Sequence, residues 1–194
     1  MRVFGKRSGS CIARRLAACV GVWLFASASG VAQTPSAQTE TYRSASLDAR
    51  GALVIARTDG RTVVVRKRGE QKSFASPIVS SDGSAVGAQA MFSNCCTSYD
   101  IPLELVVYSK GKIHRFRGVE LPIFKWAFAD GGTRVAFGQE PVHFGCETHY
   151  ELRDVKSGRL VESADVPQVC AQISDPKAVT IPQWVTDLNS RSER

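Results

Sequence analysis

The side chains best suited to chemistry are cysteines and histidines in the second half of the chain. The run His143-x-x-Cys146-x-x-His149 combines imidazole and thiolate groups, and the adjacent pair Cys95 and Cys96 precedes it. These groups are the ligands that zinc and copper prefer in proteins. The spacing does not match a zinc finger. A metal- or thiol-dependent site at Cys95, Cys96, His143, Cys146 and His149 is therefore kept as the alternative hypothesis.

The same cysteines favour disulfide bonds. Beyond residue 32 the chain contains Cys95, Cys96, Cys146 and Cys170, and an even cysteine number in an exported protein is typical of a disulfide framework. Four cysteines allow three connectivities. A bridge between the neighbours Cys95 and Cys96 would close a strained ring, so the other two remain open. The pair Cys96 with Cys146 is slightly preferred, because the two occupy corresponding places in the repeat described below.

Residues 1–32 have the pattern of a signal peptide. A basic segment without acids is followed by the apolar stretch 16–26, which is too short to span a bilayer. Gly30-Val31-Ala32 offers the small-x-small pattern of a cleavage site, and we expect the cut after Ala32. The sequence thus predicts a periplasmic or secreted protein with no stable membrane insertion after cleavage.

The charge of the mature chain excludes one class of partner. The leader carries five of the 25 basic residues and none of the 18 acidic ones, so the net charge falls from +7 to about +2 on cleavage. A nucleic-acid partner would require a basic stripe, and the mature chain has only the triplet Arg66-Lys67-Arg68. We therefore expect no nucleic-acid binding.

Catalytic signatures are absent from the sequence. The chain contains no Gly-x-Ser-x-Gly elbow, no His-Glu-x-x-His, no phosphate-binding glycine loop and no dinucleotide fingerprint. Acidic residues are spread singly and suggest no carboxylate pair. No catalytic residue and no cofactor is predicted, and a binding or structural role is preferred to an enzymatic one.

The elements that must position these residues follow a repeat. Gly83 and Gly131 lie 48 residues apart, Gly111 and Gly158 lie 47 apart, and Gly60 precedes Gly111 by 51. A period of this length indicates propeller blades of four antiparallel strands. The first copy of the repeat, around Gly60, supplies only the second half of a blade.

Short segments rich in Val, Ile, Phe and Tyr flank these glycines and predict ten strands. The predicted strands are residues 53–57, 62–66, 74–80, 85–91, 103–109, 113–117, 123–128, 134–139, 148–155 and 160–164. The fold class is therefore all-β: about two and a half four-stranded blades, in an incomplete or open propeller. The repeats are expected to span residues 46–175, after a flexible lead-in over residues 33–45.

The tail, residues 176–194, predicts a short helix. Pro182 suits the first helical turn, and Trp184, Val185 and Leu188 then fall on one face. We expect this helix to cover the sheets, which favours a monomer, with a homodimer that completes the ring as the alternative.

The turn segments resemble the TolB-type, WD40-like propeller repeat, in which Pro-x-aromatic-Ser-Pro-Asp-Gly joins the first two strands. Pro77, Asp82 and Gly83 match it in one copy. The looser matches in the next copy are Pro122, Trp126, Asp130 and Gly131. Ser81 and Ala129 stand where the repeat has proline. The resemblance implies a module that binds protein partners in the cell envelope.

Strand parity predicts which edge carries the cysteines. In a four-stranded meander, the loops between the second and third strands lie on the edge opposite the glycine turns. The loops 92–102 and 140–147 and the segment around Cys170 therefore share one edge, together with every mature cysteine. Loops on a rigid scaffold concentrate binding residues, so Phe92, Tyr99 and Phe144 are the candidate partner contacts.

Overall fold

The computed structural model describes residues 40–95, 98–118, 121–142, 147–167 and 180–192. These residues form eleven strands, a single 3-10 turn at Asp130–Gly132 and a C-terminal helix. The strands are β1 (Tyr42–Leu47), β2 (Leu53–Arg57), β3 (Thr62–Val65), β4 (Gln71–Val79), β5 (Ala85–Phe92), β6 (Ile101–Ser109), β7 (Lys112–Arg117), β8 (Ile123–Ala129), β9 (Arg134–Gln139), β10 (Glu147–Asp154) and β11 (Leu160–Pro167), and the helix is α1 (Gln183–Ser192).

The strands form three antiparallel meanders in chain order. The first sheet is β1-β2-β3, the second is β4-β5-β6-β7, and the third is β8-β9-β10-β11. Each four-stranded sheet has the strand order of a propeller blade, and the three sheets form an open stack. The predicted all-β, open, propeller-like fold with a short C-terminal helix is confirmed.

Strand β1 corrects the expected boundary of the lead-in. Residues up to 45 were expected to be flexible, but β1 begins at Tyr42, so the first sheet has three strands rather than two. The cause is a single aromatic anchor. Tyr42 is buried and meets Tyr108 of the second sheet edge-to-face, with ring centroids 5.5 Å apart.

Several hairpins depend on backbone that favours glycine. In the β6–β7 turn, Lys110 has φ 50° and Gly111 has φ 73°, and in the β8–β9 turn, Asp130 has φ 50° and Gly131 has φ 74°. In the two-residue β6–β7 loop, two successive positive φ angles make the type I′ turn, whose twist matches that of the flanking strands. The β8–β9 loop is two residues longer, and Gly132 adds a third positive φ of 122°. The repeated glycines are therefore hairpin positions, as the spacing predicted.

Apolar side chains fill the space between successive layers. One buried cluster joins the first and second sheets through Leu53, Ile55, Phe74 and Val106. Another buried cluster joins the second sheet to the third and includes Trp126. At its centre, a Cβ on Gly87 would lie 2.5 Å from the Trp126 ring, so only glycine permits this approach.

Helix α1 covers the outer face of the third sheet. Val185 and Leu188 are buried against Ala136, Tyr150 and Leu152. The Arg191 guanidinium donates to the Phe128 carbonyl at 2.8 Å and fixes the last turn of the helix. The predicted apolar face of the tail is thus the face that docks.

Strand register defines two edges of the stack. Phe92 pairs with both Gln71 and Ile101, and His149 pairs with Gln139, which places the ends of β5 and β9 on one side. We call this side, which carries residues 66–71, 92–95, 98–101 and 139–142, the loop edge. The opposite side carries the hairpin turns 80–84, 110–111, 130–133 and 155–159, and we call it the turn edge.

Helix α1 has ten residues. In the part of the chain that the structure describes, no helix has the length and apolarity needed to cross a bilayer.

Candidate functional site at the loop edge

A groove opens on the loop edge of the second sheet, where the connection from β3 meets the end of β5. Its volume is about 800 Å³, and we name it the Phe92 groove. Its lining residues are Arg68, Gly69, Glu70, Lys72, Phe92, Ser93, Leu103, Glu104 and Arg117. The half-buried Phe92 and Leu103 give it an apolar wall, so an apolar side chain of a partner would have a place to bury.

An ion pair fixes one acidic side chain of the groove. Arg115 Nη1 lies 3.0 Å from Glu104 Oε2, with both side chains less than a fifth exposed. The same guanidinium donates to Gln71 Oε1 at 3.4 Å. Because Glu104 is neutralised by this contact, it contributes little negative charge to the groove.

The rim of the groove is basic. Arg68, Lys72 and Arg117 are exposed and form no ion pair with any of the residues that the structure describes. Glu70 is the one acidic residue of the groove lining that forms no ion pair within the described part of the chain. The groove therefore presents an apolar wall beside a net positive rim, which suits an acidic or carboxylate-bearing protein segment.

Tyr99 lies in the loop that follows β5, and its side chain is 55 % exposed. Tyrosine at such a position can bury its ring on a partner and keep its hydroxyl hydrogen-bonded. Phe92 and Tyr99 thus both belong to the loop edge. Phe144, the third candidate partner contact, lies outside the described residues.

His149 belongs to a network of charged side chains at the loop edge of the third sheet. Its Nδ1 lies 2.5 Å from Asp165 Oδ1 on the neighbouring strand, and its Nε2 lies 3.4 Å from Glu151 Oε1. Arg153 Nε donates to the other oxygen of Glu151 at 2.5 Å. Both ring nitrogens of His149 thus face carboxylates, and a metal could bind one only after that contact broke.

Sequence reasoning missed this network because it depends on register. His149 lies directly opposite Asp165, while Glu151 and Arg153 follow at every second position of β10 and therefore share its face. The alternation His-x-Glu-x-Arg is visible in the sequence. The cross-strand partner Asp165 becomes visible only once β10 and β11 are aligned.

Most cysteine-site candidates lie outside the described residues. Cys96, His143, Cys146 and Cys170 are among them, and Cys95 is exposed at the loop edge. The disulfide pairing and the metal alternative therefore both stay predictions. Among the residues that the structure describes, no three His, Cys, Asp or Glu side chains are grouped to hold a metal ion.

Comparison with known proteins adds structural likenesses and no family. No protein-family model matches the chain. No curated protein matches it either.

Three solved structures are similar over part of the chain. Kuenenia stuttgartiensis hydrazine synthase matches with 13 % identity and a TM-score of 0.38, over 60 % of this chain and 32 % of that one. Pyrococcus horikoshii acylaminoacyl peptidase matches with 11 % identity and a TM-score of 0.39, over 67 % of this chain and 25 % of that one. The Cps50 (Swd1) β-propeller domain of Myceliophteria thermophila matches with 16 % identity and a TM-score of 0.34, over 67 % of this chain and 42 % of that one. The matched region spans less than half the length of each of these chains. The propeller-like description rests on the strand order given above.

Proposed function

We propose that this chain is an exported, non-catalytic binding module that holds a protein partner of the cell envelope at its loop edge. The observation that carries the proposal is the Phe92 groove, with Tyr99 exposed in the loop between β5 and β6 at the same edge. Aromatic side chains beside a concave, partly apolar surface are the usual anchors of protein interfaces.

The scaffold behind this surface is rigid. Phe92 ends a strand that pairs on both sides, with β4 and with β6. The central residues of β5, Ala85 to Ala90, are fully or almost fully buried. A partner would therefore meet a preformed groove, which reduces the conformational entropy lost on binding.

Export to the envelope is the second part of the proposal. It is supported by the basic and apolar pattern of residues 1–32, by the cleavage pattern ending at Ala32, and by the even number of mature cysteines. The resemblance of Pro77, Asp82 and Gly83 to the TolB-type repeat also supports the proposal, because proteins with this repeat mostly bind partners in the cell envelope or gate a hydrolase domain.

The test uses the full chain with a C-terminal tag, produced in its own host and cross-linked before lysis. We expect the recovered chain to begin at Gln33 and to carry one or a few specific partners. The double variant Phe92→Ala/Tyr99→Ala should lose them while staying folded, with a lowered melting temperature because the half-buried Phe92 also packs against the core. The control Ile113→Ala, which removes an exposed apolar side chain at the turn edge, should retain them.

The same partners recovered in equal yield with the double variant would refute the loop edge as the binding surface. A chain recovered in the cytoplasm with Met1 intact would refute export. The two outcomes are separate, because a cytoplasmic chain could still bind through the Phe92 groove.

A further inference from the structure

A second concave site lies at the opposite, turn edge, between the second and third sheets. It has a volume of about 460 Å³, and we name it the turn-edge cavity. Its lining residues are Asp82, Ser84, Ser109, Lys110, Lys112, His114, Gly132, Thr133, Asp154, Val155 and Lys156. This volume falls within the range of about 300–1,000 Å³ that is usual for small-molecule sites.

Three lysines converge on this cavity from two different sheets. Lys110 and Lys112 flank Gly111 in the β6–β7 turn, and Lys156 lies in the β10–β11 turn. None of the three forms an ion pair with any residue in the described part of the chain. Like charges held around one cavity repel each other, so an anion bound there would relieve the repulsion.

The two aspartates of the lining are occupied by their own turns. Asp82 Oδ1 accepts from the Ser80 hydroxyl at 2.7 Å and from the Ser84 N–H at 2.9 Å. Asp154 Oδ1 accepts from the Ser157 hydroxyl at 2.6 Å and from its N–H at 2.7 Å. The hydrogen bonds from Ser157, and to a smaller extent the charge of Lys156, lower the pKa of the Asp154 carboxyl. Both aspartates therefore keep their charge, but three lysines outnumber two carboxylates, so the lining stays net positive.

The walls that carry the lysines are fixed. The Lys110 N–H donates to the Tyr42 hydroxyl at 3.1 Å, and burial raises the pKa of that phenol, so it stays protonated. On the other side, the buried Val155 donates its N–H to the Thr133 carbonyl at 2.9 Å. The cavity is thus preformed between two packed sheets.

An aromatic and apolar wall completes the site. The His114 ring stacks on Phe116, with centroids 6.4 Å apart and planes 11° apart. Gly158 has φ 71°, and a Cβ there would lie 3.4 Å from His114 Nδ1, at ordinary van der Waals distance, so the third-sheet turn lies beside this ring. The imidazole and Val155 offer a surface for the organic part of a ligand.

We propose that the turn-edge cavity binds a small phosphate-bearing organic molecule. Lysine ammonium groups act as point charges toward phosphate, whereas planar carboxylates are better matched by the fork of arginine. The cavity is far larger than a single phosphate ion. The site lies at the opposite edge from the Phe92 groove, so it does not depend on the proposed function.

The test is thermal unfolding and titration calorimetry of the mature chain at one fixed ionic strength. The probes are inorganic phosphate, glycerol phosphate, glucose 6-phosphate, adenosine monophosphate, and glucose as the uncharged control. At least one phosphate ester should bind more tightly than inorganic phosphate, and glucose should not bind. Bound ester should raise the melting temperature in proportion to its occupancy.

Each of Lys112→Ala and Lys156→Ala should weaken ester binding by about ten-fold, the usual effect of losing one charge-assisted contact. Without ligand, both variants should melt close to the wild-type temperature, because both lysines are exposed and form no ion pair with any residue that the structure describes. Lys67→Ala is the matched control, since it removes one exposed lysine outside the cavity. It should bind as wild type does.

Two results would overturn the proposal. One is that the wild type and the Lys112→Ala/Lys156→Ala double variant bind the esters with equal affinity, or that neither binds them. The other is an affinity for inorganic phosphate that matches or exceeds that of every ester, which would show that the cavity takes only the ion.

Discussion

Glu151 carries a carboxylate into a site that is almost closed to water, with a side chain only 3 % exposed. Its two oxygens meet Arg153 and His149, so the Arg153 guanidinium compensates the charge at one oxygen and the His149 imidazole lies at the other. The Arg153 guanidinium also lies 5.8 Å from the centroid of the Phe116 ring on the second sheet. This network therefore links the loop edge of the third sheet to the sheet beneath it.

Replacing Glu151 with alanine should destabilise the fold by about 2–3 kcal/mol. Removal of one member of a buried ion pair leaves the other charge uncompensated. Because the Arg153 side chain is a quarter exposed, water can solvate its charge in part, and the cost is smaller than for a fully buried pair. Equilibrium urea unfolding measures the change. The control Glu162→Ala removes an exposed carboxylate from the neighbouring strand and should change stability by less than about 0.5 kcal/mol. Equal effects of the two substitutions would show that the network contributes nothing.

Asp82 should contribute to the acid sensitivity of the fold. Partial burial opposes its ionisation, but the hydrogen bonds from Ser80 and Ser84 outweigh burial and lower its pKa. Because the folded pKa lies below the unfolded one, this stabilisation is complete above about pH 5 and is lost as pH falls through the folded pKa.

The substitution Asp82→Asn should therefore reduce stability near neutral pH and flatten its decline in acid. Chemical denaturation between pH 7 and pH 2.5 measures both effects, with Asp100→Asn at an exposed loop position as control. An acid limb that is identical in wild type and Asp82→Asn would contradict this role of the carboxylate.

At the scale of elements, glycine turns made most strands predictable. The Asp-Gly and Lys-Gly pairs require positive φ angles that few other residues adopt, so they fix the hairpins and hence the strands between them. Helix α1 was predictable because Pro182 and the spacing of Trp184, Val185 and Leu188 are local signals. Strand β1 was not, since its sequence Tyr-Arg-Ser-Ala-Ser-Leu lacks β-branched residues and its position depends on a tertiary contact of Tyr42.

The packing of the second sheet on the third depends on the absence of a side chain at Gly87. The substitution Gly87→Ala places a methyl group 2.5 Å from the Trp126 ring and should cost about 1–3 kcal/mol through overpacking. Combining it with Trp126→Phe should recover part of that loss, because the smaller ring leaves room. Urea unfolding of both single variants and the double variant gives the coupling energy, expected at about 0.5–3 kcal/mol. Strictly additive effects would show that the cost of the added methyl group does not come from its contact with the Trp126 ring.

At the scale of the whole molecule, strand parity predicts that all mature cysteines lie on one edge. The described part of the chain includes only Cys95 of these cysteines, exposed in the loop after β5, so the shared edge stays a prediction. The pairing could not be predicted, because it depends on the paths of two loops and not on any periodic signal. The same limit applied to the charged network around His149, which needs the alignment of two strands.

Mass mapping of the exported chain without reductant should find two disulfides. Each should join Cys95 or Cys96 to Cys146 or Cys170, and each would stabilise the fold by about 3–5 kcal/mol on the chain-entropy estimate. Reduction should accordingly lower the melting temperature. Four thiols, or a metal released by chelator, would instead support the alternative site of cysteines and histidines.

The stack of three sheets has two ends that differ in how they are covered. At the third sheet, α1 lies over Ala136, Tyr150 and Leu152. At the first sheet, Val64 is 50 % exposed and pairs with the half-buried Val54. The inner side chains of these strands, Leu53, Ile55 and Val65, are buried in the core. An open stack thus exposes little apolar surface at one end and relies on a helix at the other.

Deleting residues 182–194 should therefore make the chain self-associate and lower its melting temperature. The deletion uncovers the apolar surface that Val185 and Leu188 now bury, and uncovered sheet faces of this kind pair with one another. Sedimentation velocity over a range of concentrations should show a monomer for the mature chain and larger species for the truncated one. Deleting residues 193 and 194 alone should leave both properties unchanged, because the α1 side chains that dock remain. A truncated chain that stays monomeric and equally stable would show that α1 does not act as a lid, and ring completion by a second copy would then become the better account of the open stack.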